Sequence, residues 1–147
     1  MKMRILALIL FSATLVACTC GETSLEDAFA GADFVFAATV VGRVQPRGLG
    51  GKVGWRMIQS RVWKGRGTDT VTVYTDQYQA TCGYPFKMGE RYLVFAWAQG
   101  TPGDGVVGWP LGVTFPAAMT GLCSKTQRLK DAKHIIKKLG EPISESP

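Results

Sequence analysis

Tyr92-Leu93-Val94-Phe95-Ala96-Trp97-Ala98 is apolar at every position. Successive residues of a strand point to opposite faces, so a strand of this composition must be covered on both sides. The stretch is therefore expected to run through the centre of a sheet, and the rest of the chain must supply both covers.

Upstream, Val71, Val73 and Thr75 predict a short strand, and Val53 to Trp63 alternates through Trp55, Met57 and Trp63. From Phe34 to Val44, the residues Phe34, Phe36, Ala38, Val40 and Val44 share one face, with Thr39 and Arg43 on the other; that pattern predicts a half-buried strand. Pro46 to Gly51 and Lys64-Gly65-Arg66-Gly67 punctuate these runs as turns. Downstream, the glycine- and proline-rich Thr101 to Gly112 reads as a loop, and Val113 to Phe115 as a fifth, short strand.

The ends of the chain read as helical. Thr23-Ser24-Leu25-Glu26-Asp27 sets a hydroxyl three residues before a carboxylate, with Leu25, Ala28 and Phe29 on one side, as in a capped helical turn. After Cys123 the apolar residues Leu129, Ala132, Ile135, Ile136 and Leu139 predict an amphipathic helix of about four turns. Ser124 or Thr126 would cap it, and Gly140 and Pro142 would stop it. Five short antiparallel strands with terminal helices suit a closed barrel, because closure removes exposed sheet edges. The expected fold class is all-β with flanking helices: a five-stranded OB-type barrel with a C-terminal amphipathic helix.

Met1-Lys2-Met3-Arg4 precedes a largely apolar run from Ile5 to Val16, closed by Ala17. That is the layout of a secretory signal, and the run is shorter than the roughly 20 residues that span a bilayer. The expected organisation is a signal over residues 1–17, one domain over 18–140 and a polar, flexible tail over 141–147, with the product secreted or held in the periplasm or cell envelope. The formal charge of +6 includes Lys2 and Arg4, and what remains argues for no nucleic-acid partner. No oligomer is implied either.

Catalysis has little to stand on. The single histidine, His134, lies on the terminal helix among Lys133, Ile135 and Lys137; Asp33 and Glu90 read as strand-end carboxylates, and no pair of acids has acid–base spacing. The expectation is a binding protein, not an enzyme, without a cofactor of its own. Arg128, Lys130, Lys133, Lys137 and Lys138 make the last helix basic, a solvated face or a docking face for an acidic surface.

All four cysteines, Cys18, Cys20, Cys82 and Cys123, lie beyond the expected cut. An even count in an exported domain predicts two disulfides. Three pairings are open, and a bond between Cys18 and Cys20 would close a strained ring.

From the cut onward the chain shows Cys18-Thr19-Cys20, then Ala28-Phe29-Ala30-Gly31-Ala32-Asp33, Val62-Trp63-Lys64-Gly65, Cys82-Gly83-Tyr84 and Cys123-Ser124. In this order the landmarks resemble the N-terminal, inhibitory (netrin-like, OB-type) domain of the tissue inhibitors of metalloproteinases, in a bacterial-like single-domain form. The resemblance runs over nearly the whole mature domain. It implies bridges Cys18 to Cys82 and Cys20 to Cys123, and it implies that the freed amine and the carbonyl oxygen of Cys18 chelate the zinc of a target metalloproteinase, which supplies the metal. It further implies a protease-binding surface made of Cys18, Thr19, Cys20, Gly21 and Glu22, with Ala80 and Thr81 as a second ridge. The chain departs from the animal members at Ala30, where they carry a further cysteine, and no counterpart of their cysteine-rich second domain follows.

Leu15-Val16-Ala17-Cys18 also fits a bacterial lipoprotein cleavage box. On that alternative the Cys18 thiol carries lipid and the chain is an envelope module of the same fold that binds some other protein. Only then is a membrane a partner. A redox role for the C-x-C pair is a third reading, which free thiols would reveal.

Overall fold

The computed structural model describes residues 18–45, 51–99 and 117–145. In chain order they form α1 (Leu25–Gly31), β1 (Phe34–Val44), β2 (Lys52–Lys64), β3 (Thr70–Asp76), a 3-10 turn (Gln79–Thr81), β4 (Arg91–Gln99), β5 (Ala117–Met119), β6 (Gln127–Arg128), α2 (Lys133–Leu139) and β7 (Ser144–Glu145). The strands pair in the order β1-β2-β3-β5-β4, and β4 returns to β1, which closes a five-stranded barrel. Two short outer strands extend it, β6 on β4 and β7 on β2.

β4 meets that expectation from Tyr92 to Ala96 and departs from it at Trp97 and Ala98, which are exposed. Tyr92 to Ala96 are all buried. Tyr92, Val94 and Ala96 point into the barrel beside Phe36, Ala38 and Val40 of β1 and Met57 of β2. Leu93 and Phe95 point outward, where Val35 and Ala37 of β1 join them and the patch is roofed by Ala28 and Phe29 of α1, by Ile135 of α2 and by Ala132 just before it. The molecule thus has two apolar layers back to back, and the shared wall is β1 and β4.

Several expectations need correcting. β1 is not half-buried along its length: Val35 and Ala37 lie under the helices, and only beyond Val40 do Val41 and Arg43 reach solvent. The sheet is not wholly antiparallel, because β3 and β5 run parallel through Val73 with Ala118 and Tyr74 with Met119. The C-terminal helix has two turns rather than about four, since Gln127 and Arg128 pair with Leu93 and Tyr92 as strand β6. Neither Ser124 nor Thr126 caps it; Ala132 occupies the cap position without a side-chain bond. Ser144 and Glu145, read as loose tail, pair with Val62 and Arg61. The expected strand at Val113–Phe115, the loop before it and residues 1–17 lie outside the described residues.

The N-terminal cap behaves as its sequence indicates, with Ser24 Oγ accepting the Asp27 N–H at 3.0 Å. Trp63 and Lys64 serve as ties: Trp63 Nε1 donates to Gly140 O at 2.8 Å, and Lys64 Nζ donates to Phe29 O and Ala30 O at the end of α1. Gly65 turns the chain at φ +91, where a Cβ would sit 2.6 Å from the Phe34 ring. Glycine is required there on both counts.

Candidate functional site

The four cysteines form two bridges, Cys18–Cys82 and Cys20–Cys123, with Cα separations of 5.2 and 5.0 Å. Among the described residues no cysteine is free. The bridges touch: Cys18 Sγ lies 3.7 Å from Cys123 Sγ. Three of the sulfurs are close enough to ligate one ion. Metal–sulfur bonding requires thiolate, so the bridged form has no such site of its own.

Thr19, Cys20, Gly21 and Glu22 are exposed, and Cys18 is half-buried against the barrel. Ala80 and Thr81, also exposed, sit on the 3-10 turn that ends in Cys82, so the first bridge brings the two expected ridges side by side. Cys18, Thr19, Cys20, Gly21, Glu22, Ala80 and Thr81 all lie among the described residues.

The second ridge is built with little slack. Cys82 adopts a left-handed conformation, φ 65 and ψ 21, which few side-chain-bearing residues accept. It is held there by its own N–H to Gln79 O at 3.0 Å, by Gly83 N–H to Tyr78 O at 2.9 Å and by Leu122 N–H to Cys82 O at 2.8 Å. A Cβ on Gly83 would collide with the carbonyl of Asp76. The next residue is anchored too: Tyr84 N–H donates to Thr75 Oγ1 at 2.8 Å, and its ring packs at 4.5 Å from that of Phe86. Burial, reinforced by Tyr92, pushes the Tyr84 phenol up to about 12.

The loop carrying Cys123 is fixed by hydroxyls that sequence reasoning missed or misassigned. Thr120 Oγ1 donates to Phe95 O at 2.8 Å, Thr126 Oγ1 accepts the Phe95 N–H at 2.9 Å, and the two oxygens are 3.0 Å apart. Ser124 Oγ donates to Gly121 O at 2.9 Å. The signal was there in Thr120-x-x-x-Ser124-x-Thr126, which is too dense in hydroxyls for a loop with no backbone to bind.

Next to the bridges lies a mainly apolar cavity of about 460 Å³, lined by Asp27, Ala28, Phe95, Trp97, Met119 and Cys123 among others. Lys52 and Asp76, an ion pair at 2.8 Å, stand at its margin. Trp97 is 40% exposed there. Such an edge, apolar with a few polar groups beside a projecting segment, is suited to seat a protein partner. Disulfides belong to oxidising surroundings, outside the cell or in its envelope. Among the described residues no helix is long and apolar enough to cross a membrane. No family model matches the chain, and no curated protein matches it.

Proposed function

We propose that the chain, cut to begin at Cys18, is a secreted or periplasmic inhibitor of zinc metalloproteinases. The observation that carries this reading is the double bracing of the first residues. Cys18 and Cys20 are bonded to separate parts of the barrel, and Thr19 is left exposed between them. A segment so held loses little conformational freedom on docking.

A catalytic zinc carries three protein ligands and one open position, and it can expand to five-coordinate. Cleavage before Cys18 would turn a weakly donating amide nitrogen into an α-amine, whose proton leaves near ~7.7–8.0. That amine and the Cys18 carbonyl oxygen would chelate the protease's zinc, and Thr19 would enter the adjoining specificity pocket. Ala80 and Thr81 would widen the contact. The chain would bring no metal and carry out no reaction.

The lipid-anchored alternative needs the thiol of Cys18, which the bridge to Cys82 occupies. Intact mass of the exported protein separates the two. A product starting at Cys18, short of four hydrogens and without lipid, fits the inhibitor; a diacylglycerol increment excludes it. The inhibitory test is hydrolysis of a fluorogenic peptide by a panel of zinc endopeptidases. Thr19→Gly, or one alanine added before Cys18, is expected to weaken inhibition roughly a hundredfold or more, about 2.7 kcal/mol. Inhibition that survives the added alanine would rule out chelation.

A further inference from the structure

The basic residues noticed at the C-terminal end of the sequence do not form one solvated face. Lys130 and Lys133 meet Arg61 of β2 and Arg91 of β4 around a cavity of about 660 Å³. Glu90 is the single acid in its lining, and Leu129 and Ile136 give it an apolar back wall. Arg61 and Arg91 come from distant parts of the chain, and barrel closure brings them to the same place.

None of the four cations forms a side-chain ion pair within 4.0 Å. Among the described residues the only side-chain ion pair within 4.0 Å is Lys52 with Asp76. Glu90 lines the cavity without forming a pair, and Glu145, next to Arg61 in the β2–β7 register, forms none either. Like charges gathered without partners raise the local potential and lower the free energy of any anion that enters.

The walls are already in place. Leu129 N–H bonds to Arg91 O at 2.8 Å, Gly89 N–H to Val40 O at 2.9 Å and Val40 N–H to Glu90 O at 3.0 Å. Arg61 is steadied by the Trp63 ring, 5.3 Å from its guanidinium carbon. Buried Ile135 keeps α2 against the barrel, which fixes the backbone carrying Lys133.

We infer that this cavity binds a phosphate ester. Two guanidinium groups can each offer a planar pair of donors to phosphate oxygens, and two ammonium groups complete the charge. Glu90 provides an acceptor for a hydroxyl of the esterified alcohol. The ligand is a phosphorylated polyhydroxy alcohol, either soluble or presented as a lipid headgroup. Arg91 and Trp97 are separated along β4 by roughly 20 Å at about 3.3 Å per residue, so an occupied cavity would leave the bridged end open. The inference does not rest on protease inhibition.

The test is calorimetric titration of the bridged protein with glycerol phosphate and with inorganic phosphate at low salt. Co-sedimentation with phosphatidylglycerol and phosphatidylcholine vesicles runs in parallel. Saturable binding of glycerol phosphate is expected, at least tenfold weaker in Arg91→Gln/Lys133→Gln and unchanged in Lys137→Gln/Lys138→Gln, which removes the same charge outside the cavity. All four side chains are exposed, so both double variants should keep the parent melting temperature. Sedimentation with phosphatidylglycerol vesicles that is lost in the cavity variant identifies a headgroup; glycerol phosphate binding without it identifies a soluble ester. Equal losses in the two double variants, or no saturable binding of any phosphate, would overturn the assignment.

Discussion

The hydroxyl of Thr126 accepts the backbone N–H of Phe95 at 2.9 Å, at a point where β4 pairs with β1 on one side and has no strand on the other. β6 pairs with Tyr92 and Leu93, and β5 takes over only at Trp97. Thr126 and Thr120 fill that gap as a side-chain surrogate for the missing ladder, and they fasten the Cys123 loop to the central strand.

Thr126→Val keeps the shape of the side chain and leaves the buried Phe95 N–H unpaired. The expected loss is about 1–3 kcal/mol, the usual cost of an orphaned buried donor. Urea denaturation checks it, and Thr126→Ser should recover most of the loss. If Thr126→Val unfolds at the parent midpoint, the surrogate ladder contributes nothing.

Removal of the Cys20–Cys123 bridge by a double alanine substitution frees a loop with a separation of 103 residues. Chain entropy alone predicts a loss of roughly 4–5 kcal/mol. Cys18–Cys82 would then be the only brace on the N-terminal segment, so amide exchange from Gly21 to Ser24 should quicken relative to the barrel. A loss under about 1 kcal/mol would mean that the unfolded chain is already compact around these residues.

How far the sequence could be read depended on whether a feature was local. The composition of β4 was enough to place it centrally, and Ser24 capped its helix as spacing indicated. β1 departs from the half-buried pattern because Val35 and Ala37, on the face opposite Phe34 and Phe36, are equally apolar and are covered by the helices. The last helix is shorter than its apolar spacing suggests because Leu129 and Ala132 keep helical spacing while lying outside α2. What ends the pattern is Gln127 and Arg128 pairing with a strand far away in sequence. The parallel β3–β5 pairing and the meeting of Arg61, Arg91, Lys130 and Lys133 are products of closure, with no local signature. Both bridges match what the resemblance implies, whereas spacing alone leaves three pairings open.

Gly83 follows Cys82 at the turn that presents Ala80 and Thr81. Because the added methyl of Gly83→Ala would meet main-chain carbonyls rather than a side chain that can swing away, the backbone must shift. A loss of about 1–3 kcal/mol is expected. Gly31→Ala is the matched control: its Cβ would meet nothing within 4 Å at the end of α1, and helix propensity predicts a gain of up to about 1 kcal/mol. Thermal melts should move in opposite directions; a shared direction would contradict the assigned contacts.

Tyr84 yields a prediction with a definite sign. Its phenol is raised from 10.0 to about 12, first by burial and then by Tyr92. Between those two values the unfolded chain has released the proton that the folded chain keeps, so the unfolded state binds fewer protons and stability falls as pH rises. The stabilising preference for the neutral phenol is fully present below about pH 10 and is lost as pH climbs through the folded value. Tyr84→Phe should flatten this part of the stability profile relative to the parent. Phenolate absorbance of the folded protein should lose its component near 12 in the same variant, because the ring against Phe86 and Tyr92 no longer carries a hydroxyl. Loss of a component near 10 instead would mean that Tyr84 is solvated, and the anchoring of the chain behind Cys82 would have to be sought in the Thr75 bond alone.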